Sequence, residues 1–168
     1  MKKMLVLAAV FLLGCTSEYP SWIVWHEDTL DVEAEGEVHH LEIRDRKVML
    51  DGEQPFDDDW TCSQMILTDL DQDEEPDILF LMWNHQDYGD HHPFWVEKDT
   101  ETLNEHVYIY NLRGGYMRPK WMSSMIDPKI KHISTDRDII YVIDPEDEES
   151  VWQWKNYGIE RIDLYEDK

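Results

Sequence analysis

Met65-Ile66-Leu67-Thr68, then Asp69-Leu70-Asp71-Gln72-Asp73-Glu74-Glu75-Pro76-Asp77, then Ile78-Leu79-Phe80-Leu81-Met82-Trp83: two apolar runs enclose a nine-residue polar segment in which six residues are acidic. Runs this short, bounded by turn chemistry, read as strands rather than helices. The first run belongs to a longer strand, Thr61 to Leu67. The second is apolar at every position, the pattern of a strand covered on both faces. A strand of that kind must lie inside a layered sheet structure.

The same grammar recurs on either side of this stretch. Val38 to Ile43 and Val48 to Leu50 flank the polar turn Arg44 to Lys47. Val107 to Leu112 and Tyr116 to Trp121 flank Arg113-Gly114-Gly115, whose glycines suit the positive φ of a hairpin. Val151 to Trp154 and Ile159 to Leu164 flank Lys155 to Gly158. Trp22 to Trp25 is expected as the first strand, and Ile139 to Ile143 as a second strand buried on both faces. No stretch combines helical periodicity with caps, and Thr100 to His106 reads as a loop turn.

Laid side by side, these pieces form a degenerate repeat. The full copy is Met65 to Trp121, a shortened copy is Lys131 to Leu164, and a partial first copy is Val38 to Leu50. Strand, turn, strand and hairpin are the makeup of a propeller blade. The expected fold is therefore all-β, built of blade-like antiparallel sheets, a partial or small β-propeller-like domain over residues 22–168. The chain is too short for a closed ring of about four to eight blades.

The acidic turn carries the main chemical signal. Asp69, Asp71, Asp73 and Asp77 stand at loop positions one, three, five and nine, and position seven offers the backbone carbonyl of Glu75. Alternate oxygen donors in a tight loop approximate the cage of Ca²⁺. Carboxylates crowded together repel one another unless a cation joins them. One Ca²⁺ held by Asp69, Asp71, Asp73, Glu75 and Asp77 is the expectation.

This loop resembles the calcium loops of FG-GAP (VCBS-type) repeats, the blades of integrin-α-like propellers. Those loops have glycine at position six, where this chain has Glu74, so the sharp bend falls to a residue poorly suited to positive φ. The chain also resembles a group of bacterial FG-GAP-like lipoproteins of unknown function. The matching residues are Trp83, Gly89, Pro93-Phe94-Trp95, His106 to Tyr110 and Pro119 to Ser124, in that order. The resemblance spans about Val48 to Ile162 and implies a fold and a calcium loop, without an activity.

At the start of the chain, Lys2 and Lys3 precede the apolar run Met4 to Leu13, then Gly14 and Cys15. The run is shorter than the roughly 20 residues needed to span a bilayer, so it reads as a processing signal. Leu12-Leu13-Gly14-Cys15 resembles the lipobox of bacterial lipoproteins. The resemblance implies that residues 1–14 are a removed signal peptide and that Cys15 is lipidated and becomes the first residue. Residues 15–21 would form the tether, with attachment through acyl chains to a bacterial cell membrane or outer membrane.

The chain has 15 basic against 38 acidic residues, a net charge of −23. Nucleic acid is excluded as a partner, since phosphate backbones require a basic footprint. The same charge repels anionic headgroups and favours cations or cationic partners. Once Cys15 is lipidated, Cys62 has no partner. Its strand position reads as a small buried hydrophobe, with no basic or histidine neighbour to activate the thiol.

The loop Asn84 to His92 holds three histidines and two aspartates, but their spacing matches no zinc signature, and it reads as a polar loop. His39-His40 is a weaker signal of the same kind. The tryptophans stand at strand ends and in apolar runs and read mainly as core. Hydrolase, metalloprotease, phosphate-loop and dinucleotide motifs are missing from the sequence. The functional expectation is an anchored interaction module, braced by Ca²⁺, presenting loops to an envelope protein or glycan. The alternatives are an envelope glycan hydrolase with unassigned carboxylates and a purely structural envelope lipoprotein.

Overall fold

Among the described residues eleven strands form three antiparallel sheets, each a meander of strands consecutive in the chain. The computed structural model describes residues 19–85, 102–124 and 126–163. The first sheet holds β1 (Thr29–Ala34), β2 (Glu37–Arg44) and β3 (Lys47–Leu50). The second holds β4 (Thr61–Thr68), β5 (Asp77–His85), β6 (Leu103–Arg113) and β7 (Tyr116–Met122). The third holds β8 (His132–Asp136), β9 (Ile139–Ile143), β10 (Glu149–Lys155) and β11 (Gly158–Arg161). None closes on itself. The full, shortened and partial repeat copies correspond to the second, third and first sheets.

The second sheet is the middle layer. Ile78, Phe80 and Met82 of β5 pack with Tyr108, Tyr110 and Leu112 of β6 against Val32, Leu41 and Ile43 of the first sheet. Leu79 and Leu81, with Val107 and Ile109, face Ile133, Ile140 and Val142 of the third. Successive strand residues point to opposite faces, so a strand segment with neighbours on both sides is apolar at consecutive positions, and Ile78 to Trp83 of β5 is. Each such side chain contributes roughly 1.5–3 kcal/mol on burial.

The outer sheets alternate instead. In β9 only Ile140 and Val142 are buried, which corrects the expectation that Ile139 to Ile143 is covered on both faces. Among the described residues the third sheet packs on one side, against the second sheet.

Two-residue turns join several strands. Both central residues have positive φ at Glu35-Gly36, Asp45-Arg46 and Gly114-Gly115, the geometry that matches the twist of a hairpin. Gly158 serves a different purpose: a Cβ there would lie 3.0 Å from Trp121 Nε1, so its bareness lets the indole close on β11.

Bulges re-aim two strands. Cys62 pairs with Met82 and Gln64 with Leu81, leaving Ser63 as the extra residue of β4. The phase shift puts Cys62 and Met65 on the face toward the first sheet. Gln64 then turns toward β8, where its Nε2 donates to the Ile133 carbonyl at 2.9 Å and its Oε1 accepts the Ile133 N–H at 3.1 Å. One buried amide thus satisfies both polar groups of a facing strand residue. The Cys62 thiol is fully buried, and burial pushes its pKa far above the ordinary range, so it stays a thiol.

Three sequence expectations need correction. Trp22 to Trp25 is not a strand. Trp22 and Tyr19 pack on Trp83, and Tyr19 also meets Trp25 edge-on, with the Arg46 guanidinium 4.3 Å from the Trp25 ring centroid. Aromatic contact rather than strand pairing uses this apolar run. The first sheet has three strands where two were expected, because β1, rich in acidic residues, gave a weak apolar signal. From Leu103 onward the segment expected as a loop turn is the start of β6.

The segment between the second and third sheets crosses the start of β6. Ile126 N–H donates to the Glu105 carbonyl and Ile130 N–H to Glu105 Oε2, at 3.4 and 2.7 Å. Glu105 is fully buried, and its Oε1 has no hydrogen-bond partner, nor has the buried Lys129 Nζ. Burial pushes the Glu105 carboxyl up to about 8, only partly offset by the Ile130 N–H and the Lys129 charge.

Candidate metal centre

The turn between β4 and β5 is shaped by its own carboxylates. Asp69 Oδ1 and Oδ2 accept the N–H groups of Asp73 and Glu74, each at 3.1 Å. Asp73 Oδ1 accepts the Glu75 N–H at 2.9 Å. Short side-chain oxygens taking nearby N–H groups is the usual way Asp stabilises a turn. Gln72 and Glu74 have φ of +57° and +71°. Glu74 therefore adopts the left-handed conformation that glycine supplies in the resembling loops, at some steric cost.

Ligand atoms of Asp69, Asp71 and Asp77 all lie within 4.8 Å of one another. Asp73 and Glu75 are not in that group. The Asp73 side chain is engaged with the Glu75 N–H, and the Glu75 carboxylate turns away to Arg113 Nη2 at 3.0 Å. The atom of Glu75 expected to bind was its backbone carbonyl, which this side-chain pairing does not use.

A cation is already built into the centre. Lys120 Nζ lies 2.7 Å from Asp71 Oδ2 and 2.7 and 2.9 Å from the two oxygens of Asp77. Asp77 is completely buried. It also accepts the Leu70 N–H at 2.9 Å and the Asn111 Nδ2 at 3.2 Å. Burial raises the Asp77 pKa, and these donors only partly pull it back. For Lys120 the balance goes the other way: burial disfavours the ammonium, but the hydrogen bonds it donates to Asp71 and Asp77 outweigh burial and raise its pKa.

A bulge places this lysine. Ile109 pairs with Trp121 and Tyr110 with Pro119, so Lys120 is the extra residue of β7. Bulges on edge strands commonly redirect a side chain, and Pro119 is tolerated there because β7 is an edge. The ammonium also lies 5.8 Å from the Trp154 ring centroid, tying the third sheet to the turn.

No known protein family, curated protein or solved structure matches the chain. The centre is therefore judged on its own chemistry. Its donors are all oxygens, which suits a hard divalent cation over a soft one. Three converging carboxylates fit such an ion, and Lys120 supplies only one positive charge against them.

Lys120 and Asn111 were not read from the sequence as site residues. Pro119-Lys120-Trp121 is visible as a motif, and a lone lysine after proline in an apolar edge strand is the one signal that points to it. The histidine pair serves the first sheet: His39 Nδ1 contacts Asp51 Oδ2 at 2.8 Å and His40 Nδ1 contacts Asp31 Oδ1 at 3.0 Å. Cys15 lies outside the described residues, as does the loop Asn84 to His92 beyond His85, together with Pro93-Phe94-Trp95.

Proposed function

We propose that this chain is a lipid-anchored, extracytoplasmic binding module whose β4–β5 turn takes one Ca²⁺, in the manner of the FG-GAP loops it resembles. The observation that carries the metal reading is the convergence of Asp69, Asp71 and Asp77 within 4.8 Å. Those three residues would hold the ion, which supplies the positive charge needed to keep the carboxylates ionised together. Its role is to brace the bend that sets the register of β4 against β5, at Thr68 opposite Asp77. Lys120 supplies part of that bracing without metal, so the ion adds to a turn already partly neutralised.

Calcium at about 10 mM is expected to raise the melting temperature of the full chain in neutral detergent by about 5 °C, given an affinity of roughly 10⁻⁴–10⁻³ M. Asp71→Ala, which removes one of the three converging ligands, should abolish the increment, whatever it does to the starting value. An unchanged melting temperature in the parent protein sinks the calcium reading.

Anchoring is tested separately. Cys15→Ser is expected to move the chain from the membrane fraction to the soluble extracytoplasmic fraction, since acyl chains rather than the strongly acidic fold provide membrane affinity. Equal membrane retention of variant and parent rules the lipid anchor out.

A further inference from the structure

Between the first two sheets runs a groove of about 660 Å³ with walls of opposite origin. One wall is β1 and its turn, and the other is the end of β4, the acidic turn and the end of β6. Six carboxylates line it: Asp31, Glu33, Glu35, Asp69, Glu74 and Glu75. Among the described residues Arg113 is the only basic residue along it, its guanidinium is paired with Glu75, and Glu35 Oε2 accepts the Gly114 N–H at 2.8 Å. Leu67, Ala34 and Leu112 give the groove apolar surface, and Leu67 is a large side chain left 39% exposed. Carboxylates beside apolar surface suit side chains with an apolar stem and a cationic head, which means lysine or arginine.

The groove also borders a free strand edge. β1 pairs only with β2, and among the described residues no backbone hydrogen bond occupies its outer edge. Such an edge presents unpaired N–H and C=O groups to any chain that can align with it. Asp31 and Glu33, two residues apart on β1, point to the same side and are both exposed; Asp31 Oδ1 already contacts His40 Nδ1 at 3.0 Å, so Glu33 is the carboxylate that a basic neighbour meets first. A strand added beside them gains opposite-charge pairs if its own alternate residues are basic. A second copy of this chain, with net charge −23, is repelled.

We infer that this groove binds an extended, basic peptide segment of a partner protein by strand addition to β1, with lysine or arginine at alternate positions. The inference rests on the reading of the chain as a binding module and names the partner's chemistry. It does not require calcium, because Glu33 and the β1 edge lie outside the metal turn.

The test uses the full chain in neutral detergent with chelator present and a dye-labelled peptide alternating arginine and valine, followed by fluorescence anisotropy. The peptide is expected to bind, a glutamate–valine counterpart is not, and exposed Glu33→Lys should weaken binding about tenfold or more. Methylating alternate backbone nitrogens of the peptide should remove binding, because a methylated nitrogen cannot join a ladder. Three results overturn the inference: no binding of the basic peptide, equal binding of the methylated one, or competition by spermine at matched charge concentration, which marks a diffuse counter-ion effect. Any of these leaves the calcium melting increment untouched, so the two readings fail separately.

Discussion

Replacing Lys120 with methionine is expected to cost about 3 kcal/mol of stability at neutral pH, the scale of removing one partner from a buried ion pair. Methionine keeps the apolar stem, so the loss isolates the ammonium. Asp77 has no solvent to turn to and keeps only the Leu70 and Asn111 donors. Burial already lifts its carboxyl above the ordinary range, and loss of Lys120 lifts it further. A raised folded pKa means the native state takes up a proton before the unfolded chain does, so the variant's deficit shrinks as pH falls and Asp77 becomes neutral. Urea unfolding at neutral and acidic pH measures both effects. The increment from Ca²⁺ should also be larger in Lys120→Met than in the parent, because the ion no longer shares its carboxylates with an ammonium. Matching midpoints for variant and parent at neutral pH would mean that Lys120 is not the counter-charge of this turn.

Glu105 makes the second large contribution, with the opposite dependence on solvent conditions. Its carboxyl is pushed from an ordinary 4.5 up to about 8, chiefly by burial. The folded state therefore keeps a proton over the range in which the unfolded chain has lost it. Stability from this group is full below about 4.5, declines as pH rises, and levels off above about 8, for a total on the order of 5 kcal/mol. Glu105→Gln keeps an oxygen for the Ile130 N–H but cannot ionise. The variant should match the parent near pH 5 and exceed it by several kcal/mol near pH 9, on the order of the full linkage term. Parallel stability curves across that range would show that Glu105 does not hold its proton in the fold.

The layering was legible because burial on two faces leaves a mark that few other environments do. Ile78 to Trp83 is apolar at every position, and the structure places it in the middle sheet, covered from both sides. Hairpins were legible where turn residues sit between apolar runs, as at Gly114-Gly115. β1 was not, since an edge strand that faces solvent carries the same acidic residues as a loop. Phase shifts at Ser63 and Lys120 were also invisible, because a bulge depends on pairing with a partner strand distant in the chain. The three carboxylates that converge are all legible in the spacing of their own loop, but the lysine that joins them lies 43 residues from Asp77. Spacing within one loop cannot report a partner brought in from another strand.

Among the described residues every hydrogen-bonded ladder joins strands that are neighbours along the chain. Short loop closures suffice to assemble each meander, the kind of pairing that forms early and costs little entropy. The central meander is nonetheless the one least able to persist alone, since both of its oily faces stay wet until its flanking layers arrive. A chain delivered from its amino end can cover one of those faces at once, whereas the other waits for the third sheet to emerge.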